Sequence, residues 1–209
     1  MDASPPAGCT KERLRRAVLD RRRDRPDDDR ARAADGVRDV LRASGLLPAG
    51  GVVACYASLP SEPGTAPLLG LLAARGTTVL LPITHDGRDG RGTRLGWGTA
   101  RPPGPGDGTP VGAPVGADRG PGALAAADLV VVPALAVDTA GRRLGRGGGY
   151  YDRALDDLRG RRGWLPPTVA LLHVDELLDA GVEPVPAEPH DVRVAHVVTP
   201  ARWIRIDET

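Results

Sequence analysis

Short, continuous apolar runs recur along this chain, and helical patterns separate them. Four clear runs and two weaker ones occupy residues 52–56, 77–83, 128–135, 168–173, 194–199 and 203–206. Strands of this kind are buried on both faces, which in a parallel sheet requires helices above and below. We therefore predict a three-layer α/β/α fold with a central, mostly parallel sheet, in a single domain over residues 10–209.

The intervals between these runs carry helical spacing in most places. Apolar residues recurring every three to four positions predict helices over residues 11–25, 29–44, 65–75 and 150–159, with Thr10 as the first N-cap. Residues 1–9 are expected to form a frayed tail. Residues 85–122 are dense in Gly and Pro and have little periodicity, so we expect a long surface loop there, with one short strand at 95–97.

Charge and cysteine content exclude several functional classes. A net charge of +1 removes the electrostatic case for binding nucleic acid or a membrane surface. No apolar run approaches the roughly 18 residues of a membrane span, and residues 1–16 lack the apolar region of a secretory signal. Two cysteines, Cys9 and Cys55, do not form a disulfide framework. We expect a cytoplasmic monomer whose partners are small molecules.

The most informative segment is residues 137–152, Val-Asp-Thr-Ala-Gly-Arg-Arg-Leu-Gly-Arg-Gly-Gly-Gly-Tyr-Tyr-Asp. It lies between a predicted buried strand and a predicted helix, at the sheet edge where α/β proteins bind ligands. Consecutive glycines let several N–H groups point at one spot, and a helix N-terminus adds its positive dipole. Arg142, Arg143 and Arg146 supply guanidinium groups suited to phosphate oxygens. Asp152, in the first helical turn, can reach a magnesium ion carried by the phosphates.

Other interpretations of this segment remain open at the level of the residues. It is neither a GxxxxGK[ST] phosphate loop nor a GxGxxG dinucleotide fingerprint. Taken alone, Gly-Arg-Gly-Gly favours a flexible turn, with Asp152 as a helix-dipole residue. An RGG-type RNA-binding segment would be repeated and strongly basic, unlike this one. The whole eleven-residue string from 142 to 152, placed between a strand and a helix, favours a phosphate site.

This segment resembles the signature P-x-L-A-x-D-x-x-G-x-R-L-G-R-G-x-G-Y-Y-D of the 5-formyltetrahydrofolate cyclo-ligase family. Fourteen residues match it in order: Pro133, Leu135, Ala136, Asp138, Gly141, Arg143, Leu144, Gly145, Arg146, Gly147, Gly149, Tyr150, Tyr151 and Asp152. Weaker blocks match elsewhere: Lys11, Leu14 and Arg15; Tyr56, Ser58, Glu62 and Thr65; and Val185, Pro186, Glu188, Asp191, Val198 and Thr199. The resemblance thus spans almost the whole chain.

Two positions depart from the family pattern. The family's Glu-Pro pair ahead of the third strand is missing or displaced in residues 114–121, and Val137 replaces a usual Phe.

The resemblance implies an ATP-dependent ligase that closes 5-formyltetrahydrofolate to 5,10-methenyltetrahydrofolate, releasing ADP and phosphate. It implies catalytic roles for Arg146 and Lys11 and a magnesium site at Asp152 and Asp191. The implied nucleotide site comprises Lys11, Arg15, Arg143, Leu144, Gly145, Arg146, Gly147, Gly148, Gly149, Tyr150 and Tyr151. The implied site for the formylated folate comprises Ala57, Glu62, Arg146, Gly147, Gly148, Gly149 and Tyr150.

Each of these residues also has a structural interpretation. Lys11 and Arg15 lie one helical turn apart and could form a solvated basic face, but Lys11 is the only lysine in an Arg-rich chain. Glu62 could be an exposed loop residue, although a carboxylate suits the amino-pyrimidinone edge of a pterin. Tyr151 shares the apolar face of its helix with buried positions, so Tyr150 is the better site candidate, and Asp191 could be a surface residue.

Two other functions would use the same loop. A non-catalytic nucleotide-binding or regulatory module needs the phosphate loop but does not need both Glu62 and Asp152. A sugar-phosphate enzyme could use the same anion site, but it offers no role for the pair Lys11 and Arg15.

Overall fold

The computed structural model describes residues 10–88, 92–100 and 114–206. Within these ranges the α-helices are α1 (Lys11–Arg23), α2 (Asp27–Ala43), α3 (Ala66–Ala74) and α4 (Tyr150–Arg162). The predicted helices are confirmed, with ends shifted by up to three residues. Thr10 caps α1 as predicted, because its side chain accepts a hydrogen bond from the Arg13 amide at 3.2 Å. The predicted tail, residues 1–9, lies outside the described ranges.

The strands of the described chain follow in sequence order. They are β1 (Val52–Ala54), β2 (Thr78–Gly87), β3 (Gly92–Ala100), β4 (Pro114–Val115), β5 (Leu129–Pro133), β6 (Ala136–Asp138), β7 (Arg143–Leu144), β8 (Thr168–Leu171), β9 (Leu177–Leu178), β10 (His196–Val198) and β11 (Trp203–Arg205). Two short 3-10 helices accompany them, Pro121–Ala126 and Val174–Glu176.

Eight of the described strands form one sheet, in the order β11-β10-β8-β5-β1-β2-β3-β4. The five central strands, from β10 to β2, are all parallel. Antiparallel strands complete the two edges, β11 on one side and β3 with β4 on the other. The prediction of a central, mostly parallel sheet is therefore confirmed.

Helices cover both faces of this sheet. Side chains alternate between the two faces along each strand, so each strand buries residues against the helices on both sides. Val130 and Val132 of β5 pack on the face covered by α4, together with Leu155. Val131, between them, packs on the opposite face with Leu41 of α2 and residues of α3. This alternation gives the predicted three layers, whereas the assignment of all of them to one domain stays a prediction.

A second, three-stranded sheet, β7-β6-β9, was not predicted. It is folded around Asp138, whose fully buried carboxylate accepts hydrogen bonds from the amides of Ala140, Arg142 and Val185 and pairs with the Arg142 guanidinium. Helix α1 packs over this sheet through a thin apolar stripe, Leu14 and Val18. The small sheet thus carries α1 beside the carboxyl edge of β5.

The prediction of a long loop over residues 85–122 is wrong for most of the described part, although the short strand predicted at 95–97 is confirmed within β3. Strands β2 and β3 form a long hairpin in which Pro82 pairs with Trp97, and both Leu95 and Trp97 are buried. The intervening glycines do not break the strand, since they make room for neighbours. A Cβ on Gly96 would lie 2.2 Å from the Asp118 carboxylate. Residues 89–91 and 101–113 of the predicted loop lie outside the described ranges.

No helix among the described residues is both long enough and apolar enough to cross a membrane.

Candidate active site

A cavity of about 720 Å³ opens at the carboxyl edge of β5. Six parts of the chain line it: the start of α1, Glu62 in the connection after β1, the hairpin of β2 and β3, residues 133–135 at the end of β5, the segment from β7 to the first turn of α4, and Glu188, His190 and Asp191. Its volume is typical of a pocket for a small molecule. The strand-to-helix placement predicted for residues 137–152 is thus observed, with β6 and β7 formed inside the segment.

The glycine-rich loop adopts backbone conformations that favour glycine. Gly147 has a φ of 101°, and Gly149, the N-cap of α4, has a φ of 63°. These left-handed positions turn the chain so that α4 begins at Tyr150 with its N-terminus at the cavity. The first N–H groups of a helix have no partner within it, so this end of α4 presents donors to an anion.

Arginine side chains surround the loop and contact carboxylates of the same cavity. Arg143 Nη2 donates to Asp152 Oδ1 at 2.6 Å, and Arg146 Nε donates to Glu62 Oε1 at 3.2 Å. Arg15 Nε of α1 donates to the carbonyl oxygen of Gly145 at 2.9 Å. Arg15, Arg143 and Arg146, all predicted to bind phosphate, therefore meet at one place, and Arg146 remains 43% exposed towards the cavity. Arg142, predicted with them, instead pairs with the buried Asp138 and does not line the cavity.

Lys11 lies at the same cavity, held by two carboxylates from the C-terminal part of the chain. Its Nζ atom is 2.8 Å from both Asp191 Oδ2 and Glu188 Oε1. Partial burial acts to lower the pKa of Lys11, but the hydrogen bonds that Lys11 donates to Asp191 and Glu188 outweigh it and raise the pKa above its ordinary value. Lys11 is therefore a fixed positive charge beside the loop.

Glu62 is a buried carboxylate, 7% exposed, rather than a mobile loop residue. Its Oε2 atom accepts the Leu59 amide at 2.9 Å, and its Oε1 atom accepts Arg146 Nε. Burial and two donors hold the carboxylate at the cavity, where it can accept further hydrogen bonds from a ligand. Ala57, also predicted to bind substrate, is exposed and does not line this cavity.

Both tyrosines at the start of α4 line the cavity. The Tyr151 hydroxyl is buried without a hydrogen-bond partner, and burial raises its pKa well above the ordinary value. The Arg143 guanidinium lies 5.9 Å from the centre of the Tyr151 ring. Tyr150 is partly buried, and the Arg153 guanidinium lies 5.4 Å from its ring centre. Sequence spacing assigned Tyr151 to the core and Tyr150 to the site, whereas in the structure both side chains line the cavity.

Several lining residues were missed by sequence reasoning. Pro82, Thr84 and Leu95 of the hairpin form an opposite side of the cavity. The available signal was the alternation of Leu95 and Trp97 with glycines, which predicted only a short strand at 95–97 and not the longer hairpin. Glu188 was noted only as a pattern match, because its contact with Lys11 joins positions 177 residues apart.

Asp152 and Asp191 are the two carboxylates that were predicted to hold a metal ion. Among residues 10–88, 92–100 and 114–206, no cluster of three or more His, Cys, Asp or Glu side chains is placed to hold a metal. Asp152 and Asp191 both line the cavity, and each already accepts hydrogen bonds from a cation and a main-chain amide. This suits an ion that arrives on phosphate oxygens and needs one or two carboxylates, as Mg²⁺ does.

Comparison with protein families gives a match to the 5-formyltetrahydrofolate cyclo-ligase family over residues 7–200. A protein from Mycolicibacterium smegmatis named 5-formyltetrahydrofolate cyclo-ligase is 40% identical over 201 residues, which cover 93% of this chain and 96% of that protein. A mitochondrial protein of the same name from Arabidopsis thaliana is 45% identical over 83 residues, covering 38% of this chain and 29% of that protein.

Solved structures give the same comparison at the level of the fold. The NMR structure of a 5,10-methenyltetrahydrofolate synthetase from Aquifex aeolicus matches with a TM-score of 0.71 and 25% identity, covering 95% of this chain and 94% of that one. A 5,10-methenyltetrahydrofolate synthetase from Mycoplasma pneumoniae matches with a TM-score of 0.66 at 16% identity, over 92% and 99% of the two chains, which supports the fold alone.

Proposed function

Because the chain belongs to the 5-formyltetrahydrofolate cyclo-ligase family and is a ligase of folate one-carbon metabolism, we propose that it uses ATP to cyclise 5-formyltetrahydrofolate. The products are 5,10-methenyltetrahydrofolate, ADP and phosphate. The observation that carries this proposal is the pairing, in one cavity, of a glycine-rich loop at a helix N-terminus with a buried carboxylate, Glu62. The loop suits the triphosphate and the carboxylate suits the pterin ring.

The reaction requires a better leaving group, because a formamide oxygen is a poor one. In the proposed first step the formyl oxygen attacks the γ-phosphorus of ATP, and the bond to the bridging oxygen breaks to release ADP. The formyl oxygen now carries the phosphate, and N10 attacks the carbon to which this oxygen is bonded. N10 loses its proton, the C–O bond breaks, and phosphate leaves with the former formyl oxygen.

The protein's part in this reaction is to position the reactants and to stabilise negative charge. Lys11 and Arg15 would bind the phosphates from α1. Arg146 would leave Glu62 to contact the transferred phosphoryl group, while the amides of Gly147, Gly148 and Gly149 donate hydrogen bonds to its oxygens. Arg143, Leu144, Gly145, Tyr150 and Tyr151 would complete the nucleotide site.

The released carboxylates would then be available to ligands. Glu62 would accept hydrogen bonds from the amino-pyrimidinone edge of the folate, beside Tyr150. Asp152 and Asp191 would hold the Mg²⁺ that arrives with ATP, and this ion would neutralise charge on the phosphate oxygens. The partners are thus small molecules, and we propose that the protein acts on them as a cytoplasmic monomer.

An absorbance assay for the methenyl product tests this function. Purified protein is mixed with 5-formyltetrahydrofolate and Mg²⁺, with and without ATP, and ADP is measured in parallel. We expect product only with ATP, one ADP per methenyl group, and a kcat/KM lower by about 100-fold in Arg146→Ala. Equal product without ATP would exclude ATP dependence. No product with ATP would reject the assigned substrate.

A further inference from the structure

A fully buried ion pair lies behind the cavity, outside the residues that line it. Arg22, near the end of α1, is 0% exposed, and Glu176 is 1% exposed. Two hydrogen bonds join them, from Arg22 Nε to Glu176 Oε1 at 2.6 Å and from Arg22 Nη2 to Glu176 Oε2 at 2.8 Å. Buried ion pairs are often no more stabilising than apolar residues of similar volume. Stability alone therefore does not account for two charges at this position.

The pair connects α1 to the carboxyl edge of the central sheet. Arg22 Nη2 also donates to the carbonyl oxygen of Ala134 at 2.7 Å, and Ala134 lines the cavity just after β5. Glu176 Oε2 also accepts the amide of His173, which follows β8, at 2.9 Å. One buried network thus joins a helix to the ends of two neighbouring strands, β5 and β8.

The same face of α1 carries the cations of the cavity. Lys11, Arg15 and Arg22 are separated by four and seven residues, so they lie along one side of the helix. Arg15 and Arg22 are about two turns, or roughly 10.5 Å, apart along the axis. Lys11 reaches Asp191, and Arg15 reaches the carbonyl oxygen of Gly145. A rotation or a slide of α1 would therefore move both cations relative to the glycine-rich loop.

The apolar contacts of α1 leave its placement weakly defined. Leu14 and Val18 are its buried apolar residues, and they form a narrow stripe over the small sheet. Such a stripe resists separation of the helix but resists rotation and sliding less, because apolar contacts are not directional. A planar guanidinium that meets a carboxylate through two hydrogen bonds fixes both direction and distance.

We propose that Arg22 and Glu176 are positioning residues that set the rotation and axial position of α1, and with them the ATP contacts of Lys11 and Arg15. This inference rests on the proposed role of those two cations. Loss of the pair should weaken ATP binding while leaving folate binding, which depends on Glu62 and the hairpin, unchanged. A pair that only stabilised the fold would affect both ligands or neither.

The test replaces both charges with apolar side chains of similar size, Arg22→Met and Glu176→Leu together. Calorimetry measures the Kd for ATP with Mg²⁺ and the Kd for 5-formyltetrahydrofolate, and thermal unfolding measures Tm. We expect a Tm close to that of the wild type, a Kd for ATP raised about tenfold, since small misplacements of positioning groups are costly, and an unchanged Kd for folate. The matched control removes an exposed pair from the same helix, Asp20→Leu with Arg23→Met, and should leave both affinities unchanged.

Unchanged ATP affinity in a folded double variant would overturn the inference, and so would an equal loss for both ligands. If the double variant fails to fold, Arg22→Lys decides, because it keeps the charge but loses the planar fork. Normal ATP affinity in Arg22→Lys would then overturn the inference, and a selective loss would support it. Binding is measured without turnover, so failure of the proposed reaction would show separately, as a wild type that binds ATP but forms no methenyl product.

Discussion

Two sides of the cavity differ in kind. The phosphate side consists of residues 143–152 together with Lys11 and Arg15, and it presents main-chain amides, guanidinium groups and an ammonium group. The hairpin side consists of Pro82, Thr84 and Leu95, backed by the buried Trp97, and its surface is mostly apolar. A ligand that fills both sides needs a polyanionic part and a flat, weakly polar part. The difference is what the proposed function requires, since a triphosphate and a reduced folate are the two substrates proposed above.

Arg153 links the two sides by hydrogen bonds. Arg153, in the first turn of α4, donates to the carbonyl oxygen of Gly148 at 2.8 Å and to Thr93 Oγ1 of the hairpin at 2.9 Å. A change on one side can therefore reach the other through Arg153. Separate ligand affinities, measured for ATP and for the folate, show whether the two sides act independently.

The largest effect is expected from Gly149→Val, which distorts the glycine-rich loop on the phosphate side. A branched side chain is strained at a φ of 63°, and its Cβ would lie 2.7 Å from Arg153 Nη1. We expect kcat/KM for ATP to fall by about 100-fold, because the loop amides and Arg146 lose their arrangement. Steady-state kinetics measure this.

The control is Gly160→Ala in α4, where a Cβ meets nothing within 4 Å. This variant should keep wild-type kinetics and gain about 0.5–1 kcal/mol of stability. Wild-type kinetics in Gly149→Val would remove the loop from the ATP site.

The corresponding break of the hairpin side is Leu95→Ala. Leu95 is 4% exposed and lines the cavity, so truncation should destabilise the protein by about 2–5 kcal/mol and raise KM for the folate by about tenfold. KM for ATP should stay unchanged. Urea unfolding and kinetics with each substrate measure these effects. Leu124→Ala is the matched control, since Leu124 is buried in the same core but does not line the cavity. An equal rise of folate KM in both variants would mean that the hairpin contributes only stability.

A smaller effect is expected at Asp152, where the phosphate side meets the predicted metal. Its carboxylate accepts Arg143 Nη2 and the Val192 amide, so Asp152→Asn should cost about 1–3 kcal/mol of stability. A residue that only interacted with the helix dipole would cost a few tenths of a kcal/mol. We also expect activity to require more Mg²⁺. Titration of activity against Mg²⁺ decides, with the exposed Asp156→Asn in the same helix as control. An unchanged Mg²⁺ requirement would leave Asp152 as a partner of Arg143 alone.

Lys11→Arg tests whether the phosphate side requires the compact shape of the lysine ammonium group in addition to its charge. Lys11 reaches Asp191 and Glu188 as a compact ammonium group, and a broader planar guanidinium cannot take the same place. We expect KM for ATP to rise roughly fivefold, equivalent to about 1 kcal/mol, with Tm unchanged. Lys11→Ala should be worse, because it also removes the charge. Equal kcat/KM for ATP in the wild type and Lys11→Arg would show that the retained lysine is not required.

The smallest expected effect is a pH dependence of stability that comes from His196, a residue on neither side of the cavity. Burial, followed by the nearby Arg205, lowers the pKa of His196 in β10. The unfolded chain then binds this proton more readily than the folded one, so stability is fully present above a pH of about 6.5 and falls as the pH drops below it. The slope for one such group is at most about 1.4 kcal/mol per pH unit. Urea unfolding between pH 7.5 and 5.5, about one unit on each side of the histidine range, should show a shallower slope in His196→Gln. An identical slope would assign the acid sensitivity to other groups.

The phosphate side could be predicted from the sequence because its chemistry lies in consecutive residues. Glycines, arginines and the start of α4 form one string, and main-chain conformation follows from it locally. The apolar runs likewise predicted the central parallel strands. The full hairpin was missed, beyond the short strand predicted at 95–97, because Gly96 and Gly98 resemble loop residues. Their role depends on Asp118 and Pro114, which approach closely in the folded chain.

Contacts between residues far apart in the sequence could not be predicted from patterns of neighbouring residues. Arg22 and Glu176 are 154 residues apart, and each alone resembles an ordinary charged residue of a helix or a loop. The contact of Lys11 with Asp191 was equally hidden, although each residue was singled out by itself. Patterns of residue type show which groups carry chemistry, whereas the pairing of those groups follows from the topology of the sheet.

The ion pairs inside the cavity affect how the protein responds to the salts around it. Arg143, Arg146 and Lys11 each already have a carboxylate neighbour, Asp152, Glu62 and Asp191 respectively. A small anion such as sulfate or inorganic phosphate must compete with these internal counter-ions, and it offers few oxygens with which to displace them. A triphosphate accompanied by Mg²⁺ can displace several at once and give the carboxylates a new cation. We therefore expect weak inhibition by simple anions and a shallow dependence of ATP affinity on ionic strength, because binding exchanges ion pairs instead of creating them.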